Sequence, residues 1–207
     1  MPAMENNFNQ GDLKIVLASA SPRRKEILTK LGLNFEIITS EADETSTEEN
    51  PEKRVEILAE RKGRAVEELL LSRGESLCDT LLIASDTLVH MDGEVLGKPH
   101  DRADAKKMLE ALSGREHFVS SGVYLSYNGR GAASHMTTAV RFASLTAEEI
   151  EKYLDTSEPY DKAGSYGIQG IASLFIEGIE GDYFNVVGLP VRHLYKMADE
   201  LFGIKLF

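Results

Sequence analysis

Apolar residues fall along this chain in two rhythms. Short β-branched or leucine-rich runs at Lys14 to Ala18, Phe35 to Thr39 and Thr80 to Ala84, bounded by small or polar residues, predict buried strands. Between and after them the spacing turns helical, with signals at the ends. Ser21 and Pro22 open a helix that runs to Leu31 and is closed by Gly32. Asn50 and Pro51 open a long one that runs to about Ser72, with an apolar stripe of Val55, Leu58, Ala59, Ala65, Val66 and Leu69. Further helices are predicted from Asp101 to Leu112 (closed by Gly114), from a Thr146–Glu149 capping box to about Asp155, and from Pro190 to just before Gly203.

The remaining segments complete a sheet. Asp92-Gly93 reads as a hairpin turn whose return strand ends in Gly97-Lys98-Pro99. Phe118 to Tyr127 and Met136 to Phe142, joined through Asn128-Gly129, should pair as an antiparallel ribbon. Leu174 to Glu177 and Tyr183 to Val187 are expected to finish the sheet. The fold class is therefore α/β, a mixed twisted sheet with flanking helices. There is no internal repeat and no linker, so residues 13–207 are expected to form one domain behind a flexible lead-in over residues 1–12. A chain of 207 residues can bury roughly 70% of the surface its unfolded form exposes.

Composition narrows the function classes. A hydrophobic fraction of 42% and a charged fraction of 28% belong to a soluble protein. No apolar run approaches the ~20 residues that span a bilayer, and the N-terminus lacks the apolar core of a signal peptide. A cytoplasmic protein without membrane partners is expected. Cys78 is the sole cysteine, which excludes an internal disulfide and thiolate metal clusters. With 23 basic against 34 acidic residues the net charge is −11, so the chain repels nucleic-acid backbones. Arg23-Arg24-Lys25 is a basic island against that background. It lies where a strand meets a helix through the small turn Ser19-Ala20-Ser21, and a helix N-terminus so flanked suits an anion.

Two charged positions sit where apolar ones are expected. Lys62 falls in the middle of the long helix's apolar stripe, so it either snorkels to water or points into a polar cleft. Asp86 stands in an apolar run, where a carboxylate needs a metal ion or a cation as partner. The hairpin at Asp92-Gly93 can return Lys98 to its neighbourhood. Near the C-terminal half, Asp161 to Gly170 supplies three glycines and Gln169, a loop able to approach a flat ligand. His90, His100, His117, His135 and His193 fit no metal spacing, and no P-loop, nucleophile elbow or dinucleotide fingerprint is present.

Four segments, in order, resemble the Maf family of nucleotide pyrophosphatases, fold relatives of the inosine triphosphate pyrophosphatases. They are Leu17-Ala18-Ser19-Ala20-Ser21-Pro22-Arg23-Arg24; Ala84-Ser85-Asp86-Thr87 with Gly97-Lys98-Pro99; Leu112-Ser113-Gly114-Arg115-Glu116-His117; and Asp161-Lys162-Ala163-Gly164-Ser165-Tyr166-Gly167-Ile168-Gln169-Gly170 with the Gly181 to Pro190 segment. The resemblance spans about Lys14 to Leu201. It implies two lobes around a central cleft. Asp86 would bind a divalent cation (Mg²⁺ or Mn²⁺) or activate water, and Glu44 would be its partner carboxylate. Lys62 and Lys98 would contact phosphates, as would Arg23 or Arg24 at the Ser19 turn. On this resemblance Lys62 belongs to the cleft.

Within that family, Arg24, Thr87 and Gln169 match the branch acting on thymidine and uridine triphosphates, whereas the branch for methylated guanosine triphosphate has glutamate at the position of Gln169. A neutral amide can both donate to and accept from the pyrimidine edge. The resemblance thus implies hydrolysis of dTTP and UTP, or of modified pyrimidine nucleotides, to the monophosphate and pyrophosphate. The other reading is a nucleotide-binding regulator of cell division without turnover. A homodimer would be usual for such a family. Departures from the pattern are small: Ser85 stands where glycine or alanine is more frequent, and Gly63 where alanine is.

Overall fold

The computed structural model describes residues 13–206; the expected lead-in over residues 1–12 lies outside the described residues. Seven strands form one sheet. They are β1 (Lys14–Leu17), β2 (Glu36–Ile37), β3 (Thr80–Met91), β4 (Glu94–Leu96), β5 (Glu116–Tyr127), β6 (Arg130–Phe142) and β7 (Ile176–Glu180). The order across the sheet is β2-β1-β3-β5-β6-β7, with β4 paired to β3. β1 runs parallel to both neighbours and every other pair is antiparallel. The helices are α1 (Pro22–Lys30), α2 (Pro51–Ser72), α3 (Arg102–Leu112), α4 (Ala147–Leu154), α5 (Tyr183–Val187) and α6 (Val191–Phe202).

The cleft originates in one strand having two different neighbours on the same edge. β1 pairs with the first part of β3, from Lys14 opposite Thr80 to Leu17 opposite Ile83. β4 pairs with its far end, from Val89 opposite Leu96 to Met91 opposite Glu94. Residues 84–88 of β3 therefore have no strand beside them on that edge, and the sheet opens there. On one face, α1 and α6 cover a core containing Ile15, Leu17, Ile27, Leu28, Ile83, Leu189 and Leu194. Beyond the opening, α3 and α4 cover a second core with Val89, Leu109, Leu112, Val140, Phe142 and Tyr153. These are the two lobes.

Helix α2 lies on the opposite face, over Val16, Leu82, Ala84 and Tyr124. Two glycines bring it close. A Cβ on Gly122 would lie 2.2 Å from the Val55 carbonyl oxygen, and one on Gly63 would lie 2.1 Å from Cδ1 of Tyr124. Tyr124 is fully buried, and its hydroxyl donates to the buried Glu67 of α2 at 3.3 Å. This packing rotates the expected stripe. Val55, Leu58, Ala59 and Val66 are buried, but Gly63, Glu67 and Leu70 are buried where Ala65 and Leu69 are only partly so.

Four other expectations need correction. β3 does not stop at Ala84 but continues through Ser85-Asp86-Thr87, because β5 pairs with it over its length and satisfies its backbone. The second strand shrinks to two exposed residues, a sheet edge with little to bury. Tyr183–Val187, whose side chains suit a strand, is helical because Asp182 caps it, accepting from the amides of Phe184 (2.7 Å) and Asn185 (3.3 Å), and Gly188 ends it at a φ of 119°. The last strand likewise begins at Ile176, after a 3-10 turn over Ile171–Phe175 that buries Phe175.

Candidate active site

Strand alternation sends Asp86 and Thr87 to opposite faces of β3, and each finds a different environment. Asp86 points to the α2 face. Lys62 Nζ donates to Asp86 Oδ1 at 2.6 Å and lies 2.8 Å from Glu44 Oε1. The lysine thus enters the cleft, where it bridges two carboxylates. Glu44 is carried by the irregular stretch before α2, which Arg61 holds: its Nη1 donates to the backbone oxygens of Asp43 (2.8 Å) and Thr45 (2.6 Å). The hydrogen bond from Lys62 keeps the Glu44 carboxyl below the usual glutamate range, with the Lys98 and Arg24 charges acting in the same direction.

Thr87 points to the other face and joins a neutral network around Arg24. Arg24 donates through Nε to the Gly188 carbonyl (2.8 Å), through Nη1 to Ser19 Oγ (3.1 Å) and through Nη2 to Thr87 Oγ1 (3.1 Å). Thr87 Oγ1 also lies 2.9 Å from Ser121 Oγ, which donates to the Asn185 carbonyl at 2.9 Å. Ser85 Oγ donates to the same Gly188 oxygen at 3.0 Å. Burial pulls the Arg24 guanidinium down to about 10, which leaves it charged at neutral pH. Of the two arginines in the turn, Arg24 is thus occupied by the protein. Arg23 is the more open, 3.8 Å from Asp161 across the cleft.

All nine residues singled out in the sequence line one cavity of about 970 Å³ between the lobes: Ser19, Arg23, Arg24, Glu44, Lys62, Asp86, Thr87, Lys98 and Gln169. Lys98 follows β4 and is exposed. Gln169 is also exposed, on the loop that crosses from one lobe to the other, with Ile168 packed against the first core. The loop's glycines serve its own packing. A Cβ on Gly170 would meet the Glu158 carboxylate at 2.2 Å, and one on Gly167 would meet the Lys162 side chain at 2.8 Å. Glu158 in turn accepts from the amides of Ile171 and Ala172.

The third motif has a place in this arrangement. His117 is fully buried and sits 2.7 Å, Nε2 to hydroxyl, from Tyr166 of the loop. Burial lowers His117 to about 4, so it is a neutral prop at physiological pH. Sequence reasoning gave no role to Arg61, Ser121, Asn185 or His117. His117 and Asn185 lie inside the third and fourth motifs, the one signal that could have marked them.

The sequence pattern of the family described as "Maf-like protein" matches residues 14–201. The chain belongs to the Maf family. Relatives agree over nearly the whole length. A "dTTP/UTP pyrophosphatase" of Moorella thermoacetica is 48% identical over 197 residues, covering 94% of this chain and 97% of that protein. Proteins of the same description from Caldanaerobacter subterraneus and Symbiobacterium thermophilum are 44% and 45% identical, covering 94% of this chain and 92% and 96% of theirs. Among solved structures, a HAM1 protein from Coxiella burnetii is a distant likeness, at TM-score 0.41 and 18% identity over 64% of this chain and 74% of that one. Among the described residues, no helix is long and apolar enough to cross a membrane.

Proposed function

We propose that this Maf-family chain is a cytoplasmic enzyme, one domain over residues 13–207, that hydrolyses dTTP and UTP to the nucleoside monophosphate and pyrophosphate. The observation that carries this reading is the Glu44–Lys62–Asp86 cluster at the opening of β3, in a cavity ringed by Arg23, Arg24 and Lys98 although the whole chain carries −11. A basic cavity on an acidic protein suits a small polyanion and disfavours a nucleic acid.

The donor set fits a divalent cation. Glu44 and Asp86 each give one oxygen to Lys62, and among the described residues their second oxygens have no protein partner. Among the described residues, no group of three or more His, Cys, Asp and Glu side chains is assembled to hold an ion. Mg²⁺ and Mn²⁺ need no such group, since one or two carboxylates suffice when water and substrate phosphates complete the shell. Bound by Glu44 and Asp86, the ion would polarise phosphoryl oxygens and acidify water. Asp86 then either holds the ion or takes the proton of the attacking water. Lys62, Lys98 and Arg23 neutralise charge that develops on the phosphates. Arg24, fixed from three sides, and Thr87 form a rigid wall on the opposite face. Gln169 has no hydrogen bond to the protein among the described residues, so its amide is available to a pyrimidine.

The test is pyrophosphate release from dTTP, UTP, modified pyrimidine triphosphates and guanosine triphosphates, with Mg²⁺ or Mn²⁺, in the parent and in Gln169→Glu. The parent should turn over the pyrimidine substrates. Gln169→Glu should cut their kcat/KM by about 10- to 100-fold, the effect of leaving one buried group unpaired, and cost guanosine substrates less. Nucleotide binding without pyrophosphate release would favour the regulatory reading. An unchanged substrate ratio in the variant would remove Gln169 from base recognition.

A further inference from the structure

The cations of the cavity divide into those the protein occupies and those it does not. Arg24 uses all three nitrogens on Gly188, Ser19 and Thr87. Lys62 bridges two carboxylates. Lys162 donates to the Glu158 carbonyl at 2.7 Å and to Asp161 at 2.5 Å, and Arg23 faces Asp161. Lys98 and Arg54 remain. Among the described residues neither has an acidic partner. Lys98 is exposed, but Arg54 is partly buried, and its Nε is shut off from water with no acceptor. A buried donor on a charged group is costly to leave unmade.

The place of Arg54 says which anion would satisfy it. Arg54, Leu58 and Lys62 recur at four-residue spacing on α2, and all three line the cavity. Arg54 and Lys62 are thus about 12 Å apart along the helix axis. Val55, next to Arg54, lies against Gly122, the β5 partner of Asp86. Helical side chains lean toward the N-terminus, so Lys62 reaches back to Asp86 while Arg54 leans past it. Beyond Asp86 the cavity is lined by Leu88, Val89 and Val119, and the return strand β4, which pairs with β3 there, runs back toward Asp86 and carries Lys98 to the cavity wall. Gln169 lies on the other side: its neighbour Ile168 packs on the first core, the face of the sheet that Thr87 and Arg24 share.

We propose that Arg54 is a substrate-binding residue that, opposite Lys98, seats the pyrophosphate end of the nucleotide. The nucleoside end then lies toward Gln169 and Thr87, with the scissile bond at Asp86. A planar guanidinium suits this seat, because it can give parallel hydrogen bonds to phosphate oxygens. This assignment rests on the pyrophosphatase reading for the identity of the anion, but not for its position.

The experiment titrates the parent, Arg54→Gln and Arg54→Lys with inorganic pyrophosphate and separately with UMP, in Mg²⁺, by calorimetry. Melting temperatures serve to show that the variants are folded. Arg54→Gln should weaken pyrophosphate binding by about 10- to 100-fold, the scale of hydrogen bonds to a charged group, and leave UMP affinity as in the parent. Arg54→Lys should fall between them, and product inhibition of UTP hydrolysis by pyrophosphate should weaken in parallel. The assignment is overturned if Arg54→Gln binds pyrophosphate as the parent does, if the parent does not bind it, or if UMP affinity falls equally. A parent that hydrolyses no triphosphate, yet loses pyrophosphate affinity on Arg54→Gln, would sink the enzymatic reading and leave the anion seat standing.

Discussion

Asp86 and Thr87 are adjacent in the chain, yet the sheet sends them into two kinds of chemistry. On the α2 side, Asp86 and Glu44 share one lysine and keep oxygens to spare. The backbone on either side of Glu44 is held by Arg61. On the other side, Thr87, Ser19, Ser121 and the Gly188 carbonyl tie Arg24 from three directions. One face is charged and can exchange its internal partners for a ligand. The other is neutral apart from Arg24, satisfied, and rigid in advance of any ligand. A polar network that is complete fixes geometry, whereas one that is incomplete invites a partner. Catalytic charge and positional accuracy are thus supplied from two sides of the same strand.

Three substitutions break this contrast at different depths. Asp86→Asn keeps the shape and removes the charge, so hydrolysis should fall by at least ~10²-fold in a folded protein, the scale of losing a general base or a charge-stabilising group. A purified variant within a few fold of the parent would refute a central role. Lys62→Ala should lower turnover by about 10-fold or more, since it leaves two carboxylates without their common cation. The same change removes the group that holds Glu44 below its usual range, so the Glu44 titration, followed by NMR, should move up. A lysine that only snorkelled to the surface would leave both readings unmoved. Thr87→Val acts on the rigid face. It strands Nη2 of Arg24 and removes one of the two hydrogen bonds of the Ser121 hydroxyl, and should cost about 1–3 kcal/mol of stability, a drop of several degrees in Tm. Its effect on kcat should be smaller than that of Asp86→Asn. A Tm equal to the parent's would show that the network does not hold the wall.

Much of this was legible locally. Ser21, Asn50, Asp101 and the Thr146–Glu149 box all cap helices where the spacing placed them, because a cap is a contract between residues two or three apart. Lys62 was conspicuous as a charge on an apolar stripe, but the choice between water and cleft needed Asp86, 24 positions away. What escaped was set by distant partners. Ser85-Asp86-Thr87 looks like the end of a strand until β5 is seen pairing beside it. Glu67 looks like a surface residue of α2 until Tyr124 and Ser126 turn out to donate to it in the core. Gly63 looks like a mild helix weakener, and only the ring of Tyr124 beneath it gives the reason for the missing side chain. Arg54 carried no signal at all, since nothing local distinguishes a cation without a partner from one in water.

The length of the strands has a consequence for folding. β3 and β5 have 12 residues each and β6 has 13, roughly double the common strand. Each contributes side chains to the hydrophobic cores of both lobes or runs between them, as Ile83 and Val89 do on β3, and Val123 and Val119 on β5. The ladder that links these strands is continuous, so melting one lobe would strip backbone partners from the other. The cleft therefore divides the surface without dividing the cooperative unit, and heating should give a single transition whose calorimetric and van't Hoff enthalpies agree.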